Sequence, residues 1–342
     1  MVEKAIITED EAALYDRQIR LWGLDAQRRL RAAKVLLVGV RGLGAEVTKN
    51  IVLAGIKSIT LLDHALVTKE DSTSNFLVAR DDIGKNRAEA ARSRTQLLNP
   101  MVEVSADTEH VEEKPEVYFT NFDVVCVLCC KPSEQMRINQ ICADNNIKFF
   151  SGDVFGYYGY MFSDLGFHEY AEEIHKPVIK ANTAGDGEPA QKKAKTEEQE
   201  IVVVKNSVEF RRLKDALDVD WSSPENAKKL KRTPATYFIV QVLNHFLETK
   251  GRRPCVDSVE RDKQQLLTCK EEVLKQCGLK PDFMDDEFTS KCFAELSPVC
   301  AVVGGILGQE IIKAVSQKDT PHNNFFFYNG VEGSGLVDKI GS

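Results

Sequence analysis

Residues 34–63 read KVLLVGVRGLGAEVTKNIVLAGIKSITLLD, and this stretch decides the fold. An apolar strand at 35–38 is followed by a glycine-containing turn, a helix that extends to Gly55, and a second apolar strand at 59–62. Two strands joined by a helix in this order form a βαβ unit, in which the strands are parallel. The stretch therefore predicts a Rossmann-like α/β domain.

The same alternation continues towards the C-terminus. A helix is predicted at 84–98, and strands are predicted near 102–105, at 124–128 and at 148–150, with a helix between the last two. Strands that are apolar on both faces are typical of a parallel sheet covered by helices on both sides. We therefore predict a doubly wound, mostly parallel sheet, with helices at the N-terminus and a helical region in the second half.

The pattern divides the chain into five parts. They are an N-terminal helical segment at 1–33, the first part of the Rossmann-like domain at 34–175, a disordered charged insertion at 176–200, a strand plus helical region at 201–297, and a C-terminal helix and strand at 298–342 that complete the domain. Residues 181–200 contain no apolar side chain larger than alanine apart from one proline, so they cannot contribute to a core.

The composition excludes several classes of protein. The 342 residues include 45 Lys and Arg against 52 Asp and Glu, a formal net charge of −7, and an acidic surface of this kind repels nucleic acid. No run approaches the about 18 uninterrupted apolar residues of a membrane span. The N-terminus is acidic where a signal peptide is apolar, and nine cysteines are too sparse for a disulfide framework. We expect an intracellular protein that binds neither nucleic acid nor membranes.

The turn after the first strand is a candidate nucleotide site. Gly39, Gly42 and Gly44 lie in this turn, and Asp63 ends the second strand. Glycines let the backbone approach phosphate, a helix N-terminus offers free N–H groups, and an acid at this place accepts hydrogen bonds from ribose. The spacing is G-x-x-G-x-G, however, and Arg41 occupies the position of closest approach. A turn that only packs the helix on the strand therefore explains the pattern equally well.

Four segments in a fixed order carry a more specific signal. They are YDRQIRLWG at 15–23, GVRGLG at 39–44, SPVCAVVGGILGQEIIKAVSQ at 297–317 and PHNNFFFYNG at 321–330. With these segments the chain resembles the ubiquitin-activating adenylation-domain family, most closely its SUMO-activating branch, everywhere except at 176–200. The resemblance implies that two adenylation-type domains pair, that one of them binds ATP and magnesium, and that the C-terminal glycine of the modifier is adenylated and then captured as a thioester.

Segments that an adenylating member needs are changed in this chain. Active members carry D-x-D after the second strand and N-x-x-R-Q shortly beyond, whereas here Ala65 replaces the second acid and Ser74 stands where the arginine is expected. Cys130 replaces the magnesium-coordinating aspartate, and Lys131 follows it. Magnesium prefers oxygen ligands, and a neighbouring lysine repels it. The resemblance therefore implies a vestigial site without a metal, and places ATP and magnesium on the partner.

Two cations remain near this vestigial site. Lys85 and Arg87 lie in the segment GKNR, where active members carry a cation that reaches phosphate. They are weak candidates for nucleotide binding, because a solvated helical face is the simpler interpretation and the one that we prefer. No cofactor is assigned to this chain.

The resemblance also implies an arginine supplied in trans. In the family, the helix with the YDRQ segment crosses the dimer, and its arginine contacts the ATP phosphates bound by the partner. Arg17 matches this residue, and Arg20, one helical turn later, is the second candidate. A guanidinium offers permanent charge and a planar set of donors to a triphosphate. From the residues alone, a surface arginine paired with Asp16 or Glu11 is the alternative.

Together these observations predict a non-catalytic regulatory subunit. Its partners would be the large catalytic subunit of a SUMO-activating heterodimer and, through the complex, SUMO, which is adenylated and transferred to a cysteine of the large subunit. The alternatives are an autonomous nucleotide-binding or adenylating homodimer of the sulfur-carrier-activating type, and a scaffold that assists no chemistry. The resemblance implies location in the nucleus, with the cytoplasm second; a short lysine run at 192–195 adds little.

Overall fold

The computed structural model describes residues 7–177 and 199–341. In these ranges the strands are β1 (Lys34–Val38), β2 (Ser58–Leu62), β3 (Glu103–Asp107), β4 (Val124–Leu128), β5 (Lys148–Phe155), β6 (Tyr158–Asp164), β7 (Phe167–Pro177), β8 (Gln199–Glu209), β9 (Phe325–Asn329) and β10 (Ser334–Asp338). The helices are α1 (Glu9–Leu14), α2 (Asp16–Trp22), α3 (Leu24–Ala32), α4 (Gly42–Leu53), α5 (Asp71–Ser74), α6 (Arg87–Leu98), α7 (Glu116–Phe119), α8 (Pro132–Asp144), α9 (Leu213–Leu217), α10 (Ala227–Leu230), α11 (Ala235–Lys250), α12 (Val259–Gln276) and α13 (Ser297–Ser316).

The main sheet has the strand order β10-β9-β6-β5-β4-β1-β2-β3. The five strands from β5 to β3 are parallel to one another, and β6, β9 and β10 extend the sheet in antiparallel fashion at the other edge. The predicted doubly wound, mostly parallel sheet is confirmed. β2 and β3 lie on one side of β1, and β4 and β5 lie on the other. The carboxyl ends of β1 and β4 therefore form the switch point at which α/β folds bind ligands.

Each face of the sheet is covered by its own apolar core. On one face, α3, α4, α6 and α13 pack on the aliphatic side chains of the parallel strands. Gly304 and Gly308 of α13 allow close contact with α4, since a Cβ at these positions would lie 2.5 Å from Cβ of Glu46 and 2.6 Å from Cβ of Asn50. The opposite face is more aromatic and is covered by α8, α11 and α12.

The apolar composition of α13 follows from this packing. Among the described residues it is the one helix that is long and apolar enough to cross a membrane, but 72% of its apolar window is buried inside the fold. Core helices of soluble proteins have the same properties.

The second sheet is the two-stranded antiparallel hairpin of β7 and β8. Its ladder starts at Phe167 opposite Glu209 and ends at Pro177 opposite Gln199. The predicted insertion at 176–200 therefore has wrong limits, because residues 176, 177, 199 and 200 are strand residues. The rest of that prediction, including the lysine run, lies outside the described residues, as do residues 1–6 and 342 of the predicted parts.

Candidate functional site

A pocket of about 400 Å³ opens at the switch point of the main sheet. Its walls come from the carboxyl ends of β1, β2 and β4, from residues 110–112, and from residues 251–253 after α11. Gly39, Asp63, Arg87 and Cys130, which the sequence singles out, all line it.

The glycines of the turn are required by close packing. Gly39 has φ of +86°, and a Cβ there would lie 2.3 Å from the carbonyl oxygen of Leu128 on β4. A Cβ on Gly44 would lie 2.2 Å from the carbonyl oxygen of Gly39. This is the packing interpretation of the turn; its role in nucleotide binding stays a prediction.

Asp63 and Arg87 belong to a buried ion-pair network. Oδ2 of Asp63 accepts hydrogen bonds from the Val40 N–H and from Nη1 of Arg87, both at 2.9 Å, and Oδ1 accepts from the Ala65 N–H at 3.0 Å. Arg87 also donates to Asp71 Oδ2 through Nε and Nη2, at 3.2 and 3.1 Å. Burial alone would lower the pKa of Arg87, but the two carboxylates raise it. The network therefore ties the glycine turn to α6.

The preferred interpretation of a solvated face holds for Lys85 and is wrong for Arg87. The Lys85 side chain is 61% exposed and pairs with Asp82 at 2.8 Å, whereas that of Arg87 is 5% exposed. Arg87 balances the negative charges of two buried acids, which is a structural role that does not involve a nucleotide.

The substituted positions lie beside the turn. A Cβ on Gly42 would lie 2.9 Å from Cβ and Oγ of Ser74, so Ser74 is next to the N-terminus of α4. Cys130 follows β4 and donates to the carbonyl of Leu128 at 3.4 Å, and Lys131 pairs with Glu112 at 3.5 Å. At these places the chain presents a hydroxyl, a thiol and an ammonium group.

The structure adds an acidic cluster that sequence reasoning missed. Buried Glu295 and Asp153 converge with Cys129, which lines the pocket, and the pocket-lining cations Arg41 and Arg253 pair with the two acids. Arg253 Nη1 lies 2.5 Å from Asp153 Oδ1, and Arg41 Nε lies 3.5 Å from Glu295 Oε1. Burial raises the pKa of Asp153 although Arg253 opposes this. These residues are up to about 250 positions apart, and no local pattern connects them.

Two histidines also line the pocket. His64 and His110 stack in the pocket wall with their ring centroids 3.7 Å apart. Burial and His110 together lower the pKa of His64. The two come from the ends of separate strands, so their contact depends on the tertiary fold.

Arg17 lies outside the pocket, on an anchored helix. A capping box of Thr8 and Glu11 starts α1, and Tyr15 then separates α1 from α2. Tyr15 is buried against Gly55 and accepts a hydrogen bond from Asn99 at 2.8 Å. Gln18 donates to the carbonyl of Leu53 at 3.1 Å. These contacts fix α2 on the domain.

The outer face of α1 and α2 is not covered by any other part of the chain that the structure describes. Leu14 is 58% and Leu21 is 73% exposed, and Arg17 lies between them in sequence. Asp16 pairs with Arg20 and Glu11 pairs with Arg31, so neither acid is bound to Arg17. Arg17 makes no hydrogen bond or ion pair with any described residue.

The cysteines are poorly suited to nucleophilic chemistry. Burial raises the thiol pKa of eight of them, namely Cys126, Cys129, Cys130, Cys142, Cys269, Cys277, Cys292 and Cys300. The reactive form of cysteine is the thiolate, which burial disfavours. The ninth cysteine, Cys255, is partly exposed.

Comparisons with known proteins place this geometry in a family. The model of the ThiF family matches residues 15–340. The crystal structure of E. coli MccB with succinimide has a TM-score of 0.53 and 14% sequence identity, over 96% of this chain and 71% of that one, which shows a similar fold.

Several curated relatives match over the full length and are named SUMO-activating enzyme subunit 1. The protein from Xenopus laevis is 54% identical, with 100% of both chains covered. The one from Danio rerio is 55% identical, over 99% of this chain and 98% of the relative. The one from Homo sapiens is 53% identical, over 98% and 96%. The chain therefore belongs to the ThiF family and, within it, to the family of SUMO-activating enzyme subunit 1.

Proposed function

We propose that this chain is the non-catalytic subunit of a heterodimeric SUMO-activating enzyme. With a large catalytic subunit it supports ATP-dependent adenylation of the SUMO C-terminal glycine and transfer of SUMO to a cysteine of that subunit. ATP and magnesium bind to the large subunit, SUMO meets this chain through the complex, and the complex acts in the nucleus and secondarily in the cytoplasm. Full-length similarity to relatives named as subunit 1 supports the heterodimer.

The observation that carries the division of labour is the chemistry at the pocket. Cys130 and Lys131 occupy the place where the family has a magnesium-coordinating acid, and Ser74 lies beside the N-terminus of α4 in place of an arginine. A pocket with these groups lacks the hard oxygen ligand and the bidentate donor that an adenylating site uses.

The contribution of this chain to catalysis is Arg17. Its helix, α2, is anchored by the buried Tyr15 that precedes it. Exposed Leu14 of α1 and exposed Leu21 of α2 lie on either side of Arg17 in sequence, and Arg17 has no partner among the described residues. An apolar face of this kind fits the surface of a second subunit. Delivery of a guanidinium from one subunit to ATP on the other makes the reaction conditional on assembly.

SUMO-dependent ATP–pyrophosphate exchange tests this proposal. We expect exchange from the mixture of this chain with a large subunit and none from this chain alone, because its own pocket lacks the metal ligand. Exchange by this chain alone would contradict the proposal and favour the autonomous adenylating homodimer. Size-exclusion chromatography of the same samples measures whether the two chains form a stoichiometric complex.

The buried thiols lead to a second expectation. In a mixture with ATP and SUMO, a conjugate that is sensitive to reducing agent should form on the large subunit and not on this chain. A non-reducing gel measures it. Cys255→Ser serves as the matched variant, because Cys255 is partly exposed. This replacement should leave the conjugate on the large subunit unchanged. A thiol-sensitive conjugate on this chain that Cys255→Ser removes would contradict the assignment.

A further inference from the structure

The N-terminus of α4 is occupied by an acidic side chain of the chain itself. Gly42, the first residue of α4, donates its N–H to Oε2 of Glu295 at 2.9 Å, and Arg41 Nε lies 3.5 Å from Oε1. The side chain of Glu295 is 1% exposed. In nucleotide-binding α/β folds, the same helix end receives a phosphate group. The carboxylate and a phosphate would therefore compete for one N–H group and one guanidinium.

The fold holds Glu295 firmly in this place. Ala294, the residue before Glu295, accepts a hydrogen bond from the Gly156 N–H at 2.8 Å. Gly156 also forms a β-bridge with Glu295. Ala294 has φ of 60°, a left-handed conformation that is uncommon for alanine. Two residues after Glu295, α13 begins and packs on α4 through Gly304. The contact is therefore set by the packing of α13 on α4.

The space and the charges at this end of the helix are already used. A Cβ on Gly42 would lie 3.0 Å from Oε2 of Glu295 and 2.9 Å from Oγ of Ser74, so a bulky tetrahedral group has no room there. The nearby cations have internal acids as partners: Arg41 has Glu295, Arg253 has Asp153, and Lys131 has Glu112. Cys129 Sγ completes the surroundings of Oε1 at 3.5 Å.

We propose that Glu295 acts as an internal substitute for phosphate and closes the glycine turn of this chain to nucleotides. The pocket then accepts at most the uncharged nucleoside part of such a ligand. This inference deepens the proposed function and rests on it for the expectation that this half is inactive. The site then differs from an active one by more than the replaced residues, because the contact of Glu295 with Gly42 excludes the triphosphate.

Isothermal titration calorimetry of the full chain, without a large subunit or SUMO, tests the proposal. The probes are ATP with magnesium and adenosine. We expect ATP to bind the unmodified chain no more tightly than adenosine. A result in which neither ligand binds detectably also agrees with the proposal. In Glu295→Ala, the freed N–H of Gly42 and guanidinium of Arg41 should raise ATP affinity roughly tenfold or more, with adenosine unchanged. Glu287→Ala is the control, because Glu287 lies in the same segment but is exposed and pairs with Lys291.

Glu295→Gln guards against loss of folding in the alanine variant. The amide keeps the size of the side chain and removes the charge that repels phosphate, so a smaller gain in ATP affinity is expected. The proposal is overturned if ATP binds the unmodified chain at least tenfold more tightly than adenosine. It is also overturned if variants with unchanged circular dichroism and unfolding transitions bind ATP no better than Glu287→Ala. Neither result affects pyrophosphate exchange by the heterodimer, so failure here is distinguishable from failure of the proposed function.

Discussion

Replacement of Arg17 by alanine is expected to lower SUMO-dependent ATP–pyrophosphate exchange by the heterodimer roughly 10²–10³-fold, the usual effect of removing a donor that stabilises charge in a transition state. The loss should fall mainly on kcat, because the guanidinium acts on the charge that develops during adenylation. Arg17→Lys keeps the charge but loses the planar fork, so it should recover only part of the activity.

Arg20→Ala is the matched control for this experiment. Arg20 lies on the same helix and is also exposed to solvent, but Asp16 already binds its guanidinium. Its replacement should change exchange little. If Arg20→Ala lowers exchange and Arg17→Ala does not, the two candidates exchange roles. If neither changes it while the subunits still co-elute, the chain is a scaffold.

Replacement of Arg87 by methionine is expected to lower the free energy of unfolding by about 3–5 kcal/mol, because it leaves two buried carboxylates without a counter-charge. Both Asp63 and Asp71 depend on this guanidinium. Urea unfolding of the full chain, followed by circular dichroism, measures the change. Combining Arg87→Met with Asp71→Asn should recover part of the loss, because one of the two orphaned charges is then removed.

Lys85→Met provides the comparison for this stability effect. Lys85 lies two residues before Arg87, but its pair with Asp82 is exposed, and such pairs contribute about 0–1 kcal/mol. If Arg87→Met unfolded at the same urea concentration as Lys85→Met, the buried network would have no structural role. Arg87 would then return to the list of candidate phosphate ligands.

Local sequence patterns predicted the parts of the fold that are themselves local. The strand at 124–128, and the strand before the glycine turn and the helix after it, follow from apolar runs and turn residues. The fifth strand was predicted to end at residue 150, whereas β5 continues to Phe155 and returns as β6. Both strands are buried on two faces and rich in aromatic and glycine residues, so neither the period of two nor a polar boundary marks them.

The candidate site was predictable only where its residues lie on the first βαβ unit and the strand ends. The burial of Arg87 was not predictable, because α6 carries three arginines and one glutamate and has no strong apolar stripe that would mark its buried face. Glu295 meets Gly42 across 253 positions, and the stacking of His64 on His110 joins two different strand ends. Contacts of this range are determined by how the sheet folds and by the docking of α13.

The hairpin of β7 and β8 has a consequence for how the gene can vary. Pro177 and Gln199 face each other in the last pair of the ladder, so the chain leaves and re-enters the described fold at points about one strand spacing, roughly 4.8 Å, apart. Lengthening a connection between such points costs little, about 0.6 kcal/mol for each doubling. Natural insertions, deletions or an engineered reporter at this junction therefore face almost no thermodynamic selection from the domain, and the ladder can tolerate a segment of almost any length.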